Sequence, residues 1–205
     1  MNITLKNIIF LSEKQINQLA IITAKPEIMQ YIGSGQPYTK SQIFDFIRDE
    51  RKQIKLSPYV RNYWTYAILN NDDVIGLYAL YRKNAAKIQF KKMSMRRSSR
   101  SKSTRKASHK SKPKFAQTTI ATRRLLDTEY QGKGIGNLIF EIMKNILLNC
   151  FFTNDRIPVD IISIANADNM PSNKSLTKLG LEFIGTYIEK DGNIERNVYR
   201  WHLVK

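Results

Sequence analysis

The stretch from Thr118 to Asn149 constrains the fold more than any other part of the chain. Thr118 to Leu126 is a strand-like run, β-branched and apolar apart from Arg123 and Arg124, Asp127 to Lys133 is a polar turn, and from Gly134 to Asn149 the residues Leu138, Ile139, Ile142, Met143, Ile146 and Leu147 recur at helical spacing. A strand, a turn and a helix are expected in that order. The turn reads Gln131-Gly132-Lys133-Gly134-Ile135-Gly136. Alternating glycines ahead of an amphipathic helix leave backbone N–H groups uncovered and aimed, with the positive end of the helix, at whatever lies in front of them. A phosphate is the expected guest.

Two common phosphate loops do not fit. A dinucleotide fingerprint starting at Gly132 requires glycine where Asn137 stands, and a P-loop requires Ser or Thr after Gly132-Lys133, where Gly134 stands. The pattern that fits is Q-x-x-G-x-G, carried by Gln131, Gly134 and Gly136 directly after a strand. It resembles the acetyl-coenzyme A pyrophosphate loop of the GNAT family of N-acetyltransferases. Downstream, Asn169-Met170-Pro171-Ser172 through Lys178-Leu179-Gly180 resembles that family's N-x-x-S motif, which opens the next helix and ends in Lys-Leu-Gly; the Phe that usually follows is displaced to Phe183. The segment is also sound helix chemistry, with a polar start at Asn169, Pro171 in the first turn and Gly180 as the stop. Pro26 to Gly33, PEIMQYIG, is similar to the opening of the branch that contains ribosomal-protein N-terminal acetyltransferases.

The resemblance implies a mixed α/β fold whose central sheet is flanked by helices and whose two central strands, Thr118 to Leu126 and Val159 to Ala165, splay apart to admit acetyl-CoA as the co-substrate. It places the backbone near Leu126 against the pantetheine amides and the N–H groups of Gly132, Gly134, Ile135 and Gly136 on the pyrophosphate, in the loop that Gln131 opens. Lys133 reads either as added positive charge or as a solvated loop lysine. Many relatives place a general-acid Tyr seven residues after the motif Asn, but Leu176 stands there. In the ribosomal branch the motif Ser serves instead, which points to Ser172, with Asn169 positioning cofactor or substrate; Ser172 reads equally as a helix-start hydroxyl. Thr118 to Leu126 lacks a carboxylate, which leaves Glu129, Asp168, Glu189, Asp191 and Glu195 as candidate bases.

At 205 residues, 42% of them hydrophobic, the chain is long enough for one N-acetyltransferase domain spanning 1–205. The net charge of +17 is concentrated. Between Lys91 and Lys114 stand eleven of the 34 Lys and Arg residues and no acid, leaving 23 basic against 17 acidic groups elsewhere, or +6. This serine-rich insert, 91–114, lacks the apolar content to offset its ordering entropy and is expected to be disordered. Its charge suits phosphate without base stacking, so a basic nucleic-acid- or ribosome-binding protein built on the same scaffold is the alternative reading. The acceptor expected of the enzyme is an amine-bearing protein, peptide or small molecule, with a protein or peptide N-terminus first among them. No apolar run reaches membrane-spanning length, so no membrane partner is expected, and the location expected is cytoplasmic with the nucleus as alternative. Cys150 is the sole cysteine and reads as a buried small hydrophobe. His109 and His202 make no triad, and no His/Cys cluster points to a metal.

The remaining elements follow from pattern. Ile8 to Leu11 suggests a first strand, Ser12 with Gln15 a capped helix to Thr23, and Thr39 with Gln42 a second capped helix carrying Ile43, Phe46, Ile47 and Ile54. Tyr63 to Leu69 and Val74 to Tyr81 form a hairpin. Val159 to Ala165 is a buried strand, and Leu181 to Ile188 pairs with Ile194 to Val204 around Asp191-Gly192.

Overall fold

The computed structural model describes residues 1–32, 35–56, 60–83, 118–151, 159–189 and 194–201. The insert at 91–114, His109, Asp191 and His202 therefore lie outside the described residues, as does the side chain of Cys150. The elements are β1 (Ile3–Asn7), α1 (Glu13–Thr23), α2 (Pro26–Met29), α3 (Lys40–Gln53), β2 (Tyr63–Asn70), β3 (Asp73–Lys83), β4 (Thr118–Leu126), α4 (Ile135–Phe151), β5 (Val159–Asn166), α5 (Met170–Lys178), β6 (Glu182–Ile188) and β7 (Glu195–Arg200). The strands form one sheet in the order β1-β2-β3-β4-β5-β7-β6. Only β4 and β5 run parallel; the other neighbours are antiparallel.

Alternation along each strand sorts the core onto two faces. One face carries Tyr78, Leu80, Ile120, Ile161 and Tyr199 against Ile135, Ile139, Met143 and Leu147 of α4. The opposite face carries Ala67, Leu69 and Leu125 against Leu19 and Ile22 of α1, Ile28 and Met29 of α2, and Ile43 and Ile47 of α3. Farther along this second face Ala121, Ile162, Tyr187 and Val198 form a smaller cluster. Both expected capping boxes are present: Ser12 with Gln15 opens α1, and Thr39 with Gln42 opens α3. Glu50 of α3 is fully buried and accepts from the Arg61 guanidinium, the Asn7 amide at 3.0 Å and the Thr65 N–H at 3.2 Å, which ties the helix to β1 and β2.

The first strand differs from the sequence expectation. Ile3–Asn7 pairs with β2, while Ile8–Phe10 is a 3-10 turn. The cause is Asn7, whose side chain accepts the Ile9 N–H at 3.0 Å and turns the chain out of the sheet. The hairpin between β2 and β3 is tighter than expected, with Asn71 at φ 55° in the short turn. Phe46 and Ile54, expected on the buried stripe of α3, are 40% and 39% exposed, and Leu138 of α4 is 45% exposed. Among the described residues no helix is long and apolar enough to cross a membrane.

Candidate functional site

β4 and β5 pair from Thr118↔Val159 to Thr122↔Ser163 and then part. Each remains paired on its other edge, β4 with β3 as far as Gly76↔Leu126 and β5 with β7 as far as Asn166↔Arg196. The result is a V-shaped opening inside the sheet. At its apex Thr122 and Ser163 share a buried hydroxyl–hydroxyl hydrogen bond of 2.6 Å, and Trp201 donates its indole N–H to the Ser163 oxygen at 2.8 Å. Burial pushes the neighbouring Tyr78 phenol up to about 12, against the opposing effects of a Thr122 hydrogen bond and the Arg124 charge, so Tyr78 stays a neutral hydroxyl.

The N–H of Asp127 donates to Ile75 on the β3 side at 2.8 Å. Strand alternation therefore aims the N–H groups of Leu126 and Arg124 at the open side. The Leu126 carbonyl is already engaged: the Gln131 side-chain amide donates to it at 2.9 Å, so Gln131 staples the loop to the strand it leaves.

The loop glycines fall into two kinds. Gly132 and Gly134 have φ of +73° and +76°, where L side chains are strained, and open space lies where a Cβ would project. Gly136 has ordinary φ, but a Cβ there would stand 2.7 Å from the Arg124 guanidinium. Ile135 is buried and starts α4. Lys133 is exposed, its ammonium 5.5 Å from the centre of the Tyr130 ring.

Arg124 was not among the sequence candidates. Its side chain lies on the α4 face of β4, donating to the Gly136 carbonyl at 3.0 Å and the Ser175 hydroxyl at 3.3 Å. Burial pulls its guanidinium pKa down, with the Tyr78 hydroxyl acting in the opposite direction. Among the described residues no carboxylate pairs with it. Arg123, next along the strand, points to the other face, 5.4 Å from the centre of the Tyr81 ring.

The second motif is held by a residue that the sequence reading passed over. Asn173, buried on α5, donates to the carbonyls of Asn166 and Asn169, both at 2.8 Å. Its own oxygen accepts from the Asn197 amide at 3.1 Å and the Tyr199 hydroxyl at 2.8 Å. The end of β5, the start of α5 and β7 are thus tied at one point. Asn169 is the N-cap, its side chain accepting from the Ser172 N–H at 3.1 Å. The Ser172 hydroxyl makes no protein hydrogen bond among the described residues, so the cap reading falls to Asn169 and not to Ser172.

Both motifs line one cleft of about 620 Å³. It takes in Leu126, Gln131, Gly132, Gly134, Ile135, Gly136, Asn169 and Ser172, while Lys133 stays outside its lining. Of the sequence-based base candidates, Glu129, Asp168, Glu189 and Glu195 do not line it. Glu27 of α2 is the carboxylate that does, among the described residues, beside Tyr31. The α2 arm is fixed by Lys25, which reaches Asp127 at 2.7 Å.

This is the GNAT fold. Solved structures decide it: a GNAT-family acetyltransferase from Bacillus anthracis superposes with a TM-score of 0.60 at 11% identity, covering 98% of this chain and 95% of that one. RimL, described as a ribosomal L7/L12 alpha-N-protein acetyltransferase and solved with coenzyme A, gives 0.63 at 11% identity, covering 98% and 94%. The microcin C7 self-immunity acetyltransferase MccE, solved with acetyl-CoA and AMP, gives 0.63 at 14% identity, covering 97% and 91%. No family profile matches the sequence, and no curated protein matches it. The GNAT fold is thus carried here by a sequence far from its structural neighbours, while the loop and N-x-x-S motifs sit at the mouth of the opening between β4 and β5.

Proposed function

We propose that the protein is an acetyl-CoA-dependent N-acetyltransferase that passes acetyl to a primary amine within one ternary complex, the amine being a protein or peptide N-terminus. The observation that carries this reading is the parting of β4 and β5 in front of two left-handed glycines. An extended pantetheine matches a missing strand, and Gly132 and Gly134 keep clear the backbone approach that a diphosphate requires. When bound, acetyl-CoA supplies a thioester whose acyl carbon is open to attack by an amine, with coenzyme A leaving as a thiol.

The N–H groups of Gly132, Gly134, Ile135 and Gly136 hold the diphosphate, and Arg124 supplies positive charge from behind Gly136. The N–H groups on the open edge of β4 hold the pantetheine and supply an oxyanion donor. Ser172, with its hydroxyl uncommitted and its place fixed by the Asn169 cap, gives a proton to the leaving sulfur. Glu27 takes the proton of the amine directly or through one water. A peptide acceptor is favoured by the likeness to RimL, an alpha-N-protein acetyltransferase. MccE and a putative phosphinothricin N-acetyltransferase, similar at a TM-score of 0.60, keep small-molecule amines as the second reading.

The test combines calorimetry of acetyl-CoA binding with thiol release in the presence of peptides and small amines. Saturable binding and acceptor-dependent thiol release, with one acetyl group gained at the peptide N-terminus, are expected. Absence of coenzyme binding by the folded protein would overturn the reading.

A further inference from the structure

The cleft reaches the second face of the sheet, where it is lined by Arg123 of β4, Ile164 of β5 and Arg196 of β7. With the coenzyme at the glycine loop, this is the end left for the acceptor. Two of the lining residues at this end are cations, Arg123 and Arg196, and Lys83, outside the lining, is near enough to feel both charges. Arg123 stands 5.4 Å from the centre of the Tyr81 ring, and Lys83 stands 5.6 Å from the centre of the Tyr187 ring. Arg196 is buried and holds Glu189, donating to the same carboxylate oxygen through its Nε at 2.9 Å and a terminal nitrogen at 2.8 Å. Glu189 is the carboxylate of this cluster, and it is already engaged. Among the described residues, Arg123 and Lys83 each stand beside an aromatic ring and no carboxylate forms an ion pair with either, although the Glu189 charge reaches Lys83.

Resting on the reading proposed above, we infer that the acceptor is an amine bearing a carboxylate a few bonds away, as in a polypeptide whose N-terminal residues include Asp or Glu. Tyr81 and Tyr187 orient the two cations from the side, which leaves their N–H donors available to an incoming carboxylate. Partial burial strengthens that attraction relative to one in bulk water, and it repels a basic acceptor by the same margin. Burial pulls the Lys83 ammonium pKa down, as do the charges of Arg123 and Arg196, while Glu189 acts against them. A bound carboxylate offsets all three.

The test uses the full chain at physiological ionic strength with coenzyme A or acetyl-CoA present. Peptides of equal length beginning Ser-Glu-Glu, Ser-Ala-Ala and Ser-Lys-Lys are compared with free glutamate for kcat/KM, and for affinity by fluorescence anisotropy or competition. The acidic peptide should exceed the basic one by roughly 10- to 100-fold, and Arg123→Glu should invert that order while coenzyme affinity by calorimetry stays at the wild-type value. Lys83→Gln should reduce the ratio by a smaller factor and carries the test if Arg123→Glu does not fold. Free glutamate acting as well as the peptide would assign the same chemistry to a small amino acid. An acidic preference that survives in both variants would show capture by basic residues elsewhere in the chain and overturn the inference, as would equal rates for all peptides. Loss of coenzyme binding in the wild-type protein would instead bring down the underlying reading.

Discussion

Arg124 is a half-buried cation on the cleft wall whose protein neighbours are a carbonyl, a hydroxyl and a phenol, an arrangement that costs stability unless an anion comes to meet it. Arg124→Met should therefore leave the melting temperature of the ligand-free protein unchanged or higher, while weakening coenzyme affinity by roughly 10- to 100-fold, the equivalent of one charge-assisted contact. Differential scanning fluorimetry beside calorimetry checks both; a lower Tm with intact affinity would make Arg124 a structural brace. The division of labour at the second motif is equally testable. Ser172→Ala should lower kcat and leave Tm in place, whereas Asn169→Ala should cost about 1 kcal/mol through the lost cap. The sequence exposed the motif but not this division, because Asn and Ser are both good helix-start residues and only the observed bond from the Ser172 N–H tells them apart. Arg124 and Asn173 left no signal at all. An arginine in a strand reads as solvent-facing, and an asparagine inside a helix reads as a weak helix former, until the partners that bury them are known.

Among the elements, α2 is held by its buried Ile28 and Met29 and, at its start, by one ion pair from Lys25 to Asp127. Hydrogen bonding to Asp127 raises the Lys25 pKa above its ordinary value, helped by the Asp127 charge and opposed by burial. For Asp127, burial acts upward but is outweighed by the Lys25 hydrogen bond and charge, so its carboxyl falls below the ordinary range. The depressed carboxylate contributes stability above its unfolded pKa of ~3.9, lost as pH falls through the lower folded value; the raised ammonium contributes below ~10.4, lost as pH rises through the higher folded value. The Tm difference between the wild type and Lys25→Met should thus be flat from about pH 5 to 9 and close at lower pH. A difference that is constant down to pH 2 would place the effect in packing alone. Elements themselves were the most legible layer. Both capping boxes and the span of β4 were readable from residues alone, because local hydrogen bonding and strand composition specify them. The first strand was misplaced because Ile8 to Leu11 is the more apolar run, yet Asn7 ends the strand before it.

For the whole molecule, β3 and β4 are sheet neighbours with Lys83 paired to Thr119, so the segment between them joins two adjacent strand ends. Replacing residues 91–114 with a short Gly/Ser linker between Phe90 and Phe115 should preserve folding and turnover on a small peptide, and reduce polyanion binding at low salt. Circular dichroism, thiol release and filter binding follow the three outcomes; loss of the fold would show that the insert is structural. The topology beyond this was legible only through the two motifs in their order, since strand composition does not say where neighbouring strands separate. That separation has a consequence for handling the protein. Past Thr122 and Ser163 the ladder between the two central strands ends, and backbone groups such as the Arg124 and Leu126 N–H face no partner strand, an arrangement usually confined to the rim of a sheet that can recruit an extended chain. A concentrated preparation therefore carries an aggregation template at its centre, and under the function proposed above coenzyme in the buffer would work as a colloidal stabiliser by covering it.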